Sequence, residues 1–204
     1  MFSMRHGDIL FEMVAVTNRK LCECSFEEQI KRVCELKPSF IILREKDLTE
    51  NEYEVLAERI LDICADYDVK CILHTYWKTA LKLGQTSIHL PLAVLRQLEN
   101  EERRKFSTIG CSIHSVCEAV EAQRLGASYI TAGHIYTTDC KKGVPARGVQ
   151  FLQEVCESVQ IPVYAIGGIH LETSELGKIL HSQEVELTKA GAKGACIMSG
   201  FMKV

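Results

Sequence analysis

Eight short β-like runs, spaced along the chain with helical patterns between them, limit what this sequence can fold into. They are "MVAVT" (13–17), "FIILR" (40–44), "KCILH" (70–74), "SIHL" (87–90), "STIGCS" (107–112), "YITAG" (129–133), "VYAIGG" (163–168) and "ACIMSG" (195–200). Most are continuous apolar runs rather than alternating ones, which suits strands buried on both faces of a parallel sheet. Between them, Phe26, Ile30, Val33 and Cys34 fit one helical face, Leu56, Ile60 and Ile63 a second, and Val116, Ala119, Val120 and Gln123 a third. Ser25 followed by Glu28 reads as a capping box, Thr49 as an N-cap and Gly126 as a helix stop. Strand–helix alternation repeated eight times predicts a (β/α)8 TIM barrel, α/β in class, formed by one domain over residues 1–204. After the eighth run only 201–204 remain, so the eighth helix is shortened. A segment at 2–11 or a partner subunit is expected to cover that side.

Composition closes off several classes. A net charge of −3 gives no electrostatic footprint for nucleic acid or an anionic membrane. The longest apolar runs fall far short of the roughly 20 residues needed to cross a bilayer. With no signal-peptide core at its start, the chain reads as cytoplasmic. Ten cysteines include no C-x-x-C pair and no zinc spacing, and several sit inside apolar runs, so they read as reduced core residues.

In such a barrel the reacting groups gather at the C-terminal ends of the strands. Those ends carry Thr17 and Asn18, then Arg44, Glu45 and Lys46, then His74, His89, Ser112, His114 and His134. Gly167 and Gly168 close the seventh run, and Ser199 and Gly200 the eighth. These last two exits read as a phosphate cup. Glycines admit backbone N–H groups to an anion, a short helix after the eighth strand adds its dipole, and Ser199 adds a hydroxyl. Thr138 can cap the same anion, and Lys141, Lys142 and Arg147 raise the local positive potential. Alternation sends Arg44 and Lys46 to one side and Glu45 to the other. His134, at a strand exit beside the cup, can take and return a proton near neutral pH. A three-histidine metal site has no spacing rule behind it, and no metal site is predicted.

These residues bring a family into view. "LREK", "IGCSIHSVCEA", "YITAGHIYTTDCKKG", "IPVYAIGGI" and "GAKGACIMSGF" together resemble, over essentially the whole chain, the thiamine-phosphate synthase / thiazole tautomerase family. The resemblance implies a (β/α)8 barrel whose last two strand loops hold the phosphate of a thiazole ethyl phosphate. It also favours a homodimer. The synthase of this family joins a pyrimidine pyrophosphate to the thiazole phosphate with magnesium. Against that pattern, Ile42 stands where the synthase has Gln, His74 and Thr75 where it has Asn-Asp, and Val94 where it has an Asp. Lys46, Ser112 and Lys141 survive from it.

"GHIY" and "TDCKKG…RG" resemble instead the TenI-type thiazole tautomerase branch. That resemblance implies His134 as the acid/base of an isomerase that aromatises a carboxythiazole phosphate, with no cofactor. It makes Arg44, Lys46, Ser112, Thr138, Lys141, Gly167, Gly168, Ser199 and Gly200 the substrate-binding residues. Thiazole tautomerase is therefore the leading expectation. Thiamine-phosphate synthase is the first alternative, and a non-catalytic thiazole-phosphate-binding protein the second.

Overall fold

Strands that are apolar on both faces need cover on both, and this chain supplies it by closing its sheet and wrapping it in helices. The computed structural model describes residues 11–138, 143–173, 179–180 and 183–204. Eight parallel strands form a closed barrel: β1 (Glu12–Val16), β2 (Phe40–Leu43), β3 (Cys71–His74), β4 (Ser87–Pro91), β5 (Thr108–Ile113), β6 (Tyr129–Gly133), β7 (Val163–Ile166) and, last in the chain, β10 (Gly194–Ile197). β10 pairs with both β1 and β7, which closes the ring. Between β7 and β10, the two-residue strands β8 (Glu172–Thr173) and β9 (Ile179–Leu180) pair antiparallel outside the barrel. The predicted (β/α)8 fold is therefore observed, with each predicted run containing its barrel strand to within a residue at either end.

The helices follow their caps. α1 (Phe26–Glu35) starts at Ser25, whose hydroxyl accepts from the Glu28 amide, and buries Phe26, Ile30, Val33 and Cys34 as predicted. α2 (Glu50–Asp66) starts at a full capping box between Thr49 and Glu52 and buries Leu56 and Ile60, with Ile63 only partly covered. The shorter α3 (Trp77–Lys82), α4 (Leu92–Gln97) and α5 (Asn100–Arg103) follow. α6 (Val116–Arg124) corrects the expected face. It buries Ala119 and Ala122, while Val120 is 46% exposed, because the helix lies with its small residues against the barrel. α7 (Gly148–Ser158) and α8 (Glu184–Lys189) complete the outer layer.

Two apolar clusters result. One lies between strands and helices. The other, built from Val14, Val16, Phe40, Ile42, Ile72, Tyr129, Tyr164 and Cys196, fills the barrel interior. After β10 the chain makes only a 3-10 turn, Phe201–Lys203. Its buried Phe201 and Met202 lie against α1, and the Gln29 amide donates to the carbonyls of Phe201 at 2.9 Å and Val204 at 3.1 Å. The eighth helix is thus short, as expected, and α1 holds the turn in place. The segment 2–11 proposed to cover this side lies, except for Phe11, outside the described residues. Nine cysteines are free thiols, and Cys140 lies outside the described residues.

Candidate active site

Period-two alternation decides which side chains enter the barrel mouth. Along β2 and its exit, Arg44 and Lys46 face a cavity of about 420 Å³ at the C-terminal end of the barrel. Glu45 between them points away and is 3% exposed. Its carboxylate accepts from the Thr17 hydroxyl at 2.7 Å, from the Arg19 amide at 3.1 Å and from the Arg19 guanidinium at 3.0 Å. Thr17 Oγ1 in turn accepts from the Arg44 amide at 2.8 Å. Glu45 therefore braces the β1 and β2 exits. Beside it, Arg19 and Lys20 hold the Asp47 carboxyl well below the usual carboxylate range.

His74 and Ser112 also line the cavity. The His74 ring bonds Thr75 Oγ1 at 2.6 Å and stacks on His89 with centroids 5.5 Å apart. Burial first, then His89, Arg44 and Lys46, push the His74 pKa well down, so the ring is neutral. His89 corrects the reading of the rim. It stands beside His74 but does not line the cavity, 2% exposed, with its pKa pushed down to about 3 by burial and by Arg44. Its Nδ1 bonds the Tyr129 hydroxyl at 3.0 Å and its Nε2 bonds Ser112 Oγ at 2.8 Å. Gly110 makes this possible, because a Cβ there would lie 2.2 Å from the Tyr129 ring and 2.5 Å from His89 Nδ1. His114, exposed at the rim, bonds the Gly133 carbonyl at 2.9 Å through Nδ1.

On the other side of β1 stand the residues expected to form a phosphate cup. Gly167 and Gly168 take φ of +98° and +70° and line the cavity together with Ser199 and Thr138. A Cβ on Gly167 would lie 2.3 Å from His134 Cβ, and one on Gly168 would lie 2.5 Å from the Thr137 carbonyl, so the loop after β6 rests directly on the β7 exit. Gly200 begins the closing turn, against Leu171. The expected helix dipole is corrected: three 3-10 residues supply little of one, which leaves glycine backbone and hydroxyls for the expected cup. Lys141 and Lys142 lie outside the described residues.

His134 lines the cavity at 5% exposure. Its Nε2 lies 3.2 Å from the Val144 carbonyl, and Nδ1 has no partner among the described residues. The Val144 carbonyl therefore orients the ring through Nε2. Glu45 is committed to Thr17 and Arg19.

Tyr129 and Thr131 went unmarked in the sequence. Thr131, 3% exposed, lines the cavity and donates to Ser112 Oγ at 3.2 Å. The alternation Tyr129, Thr131, Gly133 was the signal that could have found them. Arg96 and Glu118 also reach the cavity, with Arg96 paired to Glu121 at 2.7 and 2.8 Å.

The magnesium of the synthase pattern wants several hard oxygen donors. Glu118 is the only carboxylate among the cavity's described lining residues, and it accepts from the His114 amide at 2.5 Å. No group of three His, Cys, Asp or Glu among the described residues is placed to hold a metal ion. The residues described here do not fit that ion.

Comparison with known proteins corrects the leading expectation. Thiamine-phosphate synthase 2 of Streptococcus pneumoniae serotype 4 is 31% identical over 88% of this chain and 81% of its own length. The thiamine-phosphate synthase of Caldanaerobacter subterraneus subsp. tengcongensis is 29% identical, covering 84% of this chain and 81% of that relative. Among solved structures, a thiamine phosphate pyrophosphorylase from Pyrococcus furiosus superposes with a TM-score of 0.75 at 25% identity, covering 94% of this chain and 87% of that one. These names speak for the synthase, so the tautomerase and isomerase reading is overturned in favour of the transferase alternative. The family profile described as thiamine monophosphate synthase matches residues 13–201, and the chain belongs to that family.

Proposed function

We propose that this protein is a transferase that joins a pyrimidine diphosphate to a thiazole phosphate, giving thiamine phosphate. The observation that carries this reading is that two groups of residues suited to anions line one mouth. Arg44 and Lys46 stand at the β2 exit, and the Gly167, Gly168, Ser199 and Thr138 cup stands at the β7 and β10 exits, with β1 between them. Two phosphorylated substrates need two such positions. The names of the relatives support the same reaction.

In the coupling, the thiazole ring nitrogen attacks the pyrimidine methylene carbon. A carbon–nitrogen bond forms and the carbon–oxygen bond to the diphosphate breaks. The diphosphate leaves with the electron pair, and Arg44 and Lys46 offset the charge it gains. The glycine cup anchors the thiazole phosphate so that the ring nitrogen meets the carbon in line. Ser112 and His134 contact the bound rings from β5 and β6. No organic cofactor is called for.

Among the described residues no helix is long and apolar enough to cross a membrane. A cytoplasmic, homodimeric enzyme acting on a phosphorylated thiazole is part of the same proposal. Light scattering reads the mass directly. The test of function is a coupling assay with both substrates, run with and without magnesium and read as thiamine phosphate by mass. Product formation is expected. Binding of thiazole phosphate with no product under saturation contradicts the transferase and leaves a binding protein.

A further inference from the structure

Beneath the cavity floor runs a chain of four polar side chains: Tyr129, His89, Ser112 and Thr131, linked by bonds of 3.0, 2.8 and 3.2 Å. Tyr129, His89 and Thr131 are each no more than 5% exposed, and the Tyr129 ring is surrounded by Phe40, Tyr164 and His89. Neither Tyr129 nor His89 lines the cavity, whereas Ser112 and Thr131 both do.

Counting protons fixes the direction of this chain. Four protons are available: three on hydroxyls and one on a neutral imidazole. Burial keeps the His89 ring neutral, with a pKa of about 3, so it carries one N–H and one lone pair. Three bonds use three protons, and one is left over. If His89 carried its proton on Nδ1, it would donate to Tyr129, and the phenol proton would point into an aromatic core with no other acceptor among the described residues. A buried unsatisfied donor is costly. If the proton sits on Nε2, Tyr129 donates to Nδ1 and Nε2 donates to Ser112. The spare proton then belongs to Ser112 or Thr131, both of which face the cavity.

We infer that Tyr129 and His89 are positioning residues that leave one hydroxyl proton, on Ser112 or on Thr131, as a hydrogen-bond donor to the ligand. This part of the site therefore offers a donor to a hydrogen-bond acceptor, either a heterocycle ring nitrogen or a phosphate oxygen. The ligand side of this inference rests on the transferase reading, whereas the direction of the chain does not.

The first test needs no ligand. In the ¹⁵N-labelled wild-type protein, long-range ¹H–¹⁵N NMR is expected to show His89 neutral with its proton on Nε2. A proton on Nδ1 overturns the inference, and an Nε2 proton in a protein that couples nothing leaves it standing. The second test measures binding of two probes, inorganic diphosphate and 4-amino-5-hydroxymethyl-2-methylpyrimidine. S112A/T131V is expected to weaken one of them about tenfold, the size of one well-made hydrogen bond, and which one it weakens identifies the acceptor. Y129F, which touches no ligand, should weaken the same probe in the wild-type background and have no effect in S112A/T131V. An equal loss in both backgrounds would reduce Tyr129 to a packing residue and contradict the inference.

Discussion

The two walls of the barrel mouth are built on different principles. From β2 to β6 the wall is made of side chains: Arg44, Lys46, His74, Ser112 and Thr131, backed by His89 and Tyr129. At β7 and β10 its polar part is two glycines at positive φ and one exposed serine, set beside Ile166, Ile169, Cys196 and Met198. A side-chain wall can be retuned residue by residue, since each group changes one contact. A backbone wall cannot, because its shape depends on the absence of Cβ atoms where the β6 loop rests on β7. The difference teaches where specificity and where anchoring reside. The part of the ligand that varies chemically should meet the first wall, and the phosphate the second.

The largest effect should come from the side-chain wall. Arg44→Ala is expected to lower kcat/KM for coupling by ~10²–10³, the size seen when a charge-stabilising donor is removed. Affinity for the thiazole phosphate, measured by calorimetry, should hardly move. If both fall together, the two walls do not serve separate anions.

Gly167→Ala tests the other wall. Its φ of +98° and the 2.3 Å approach to His134 Cβ leave no room for a methyl group. The expected loss is about 2–3 kcal/mol of stability by denaturant unfolding. Thiazole phosphate binding should disappear with it. A stable variant with unchanged binding would show that the cup is not made as described.

The side-chain wall alone carries a pH signature. His74 and His89 are neutral in the fold, with pKa values below the ordinary histidine value of about 6.5. In the unfolded chain they pick up protons as the pH drops past that value, while the folded state resists, so acid favours unfolding. Stability is full above pH ~6.5 and falls on acidification, by up to about 1.4 kcal/mol per pH unit for each histidine. For His89 the fall continues towards pH 3. Melting at pH 7.5 and 5.5 reads this effect. His89→Gln, with one fewer buried imidazole, should flatten the slope.

Ser199→Ala should do least. If backbone supplies most of the cup, one exposed hydroxyl is worth about 0.5–1 kcal/mol, or a few-fold in thiazole phosphate affinity. A loss as large as that of Gly167→Ala would make the cup a side-chain site after all.

The barrel was legible because eight apolar runs and their caps state the fold locally, and Ser25, Thr49 and Gly126 behave as their types require. The rim was legible wherever a strand exit and its parity agreed, as at Arg44 and Lys46. It was not legible at His89, since the same alternation that points a residue inward does not say whether it reaches the cavity. Tyr129 and Thr131 were hidden for a related reason. They sit within an apolar-looking strand, and their role appears only when β4, β5 and β6 bring four residues from three strands into hydrogen-bond reach. The choice of reaction was not legible from "GHIY" and "TDCKKG". One ring at a strand exit names no chemistry until its partners are known, and His134 has a backbone carbonyl for its partner.

Two anion positions in one mouth are the claim on which the rest depends, and a single titration tests it. Inorganic diphosphate is titrated calorimetrically into protein saturated with thiazole ethyl phosphate. The account predicts one diphosphate bound per chain with the thiazole phosphate still in place, and loss of that binding in Arg44→Ala. Displacement of one ligand by the other would show a single shared anion position and contradict it.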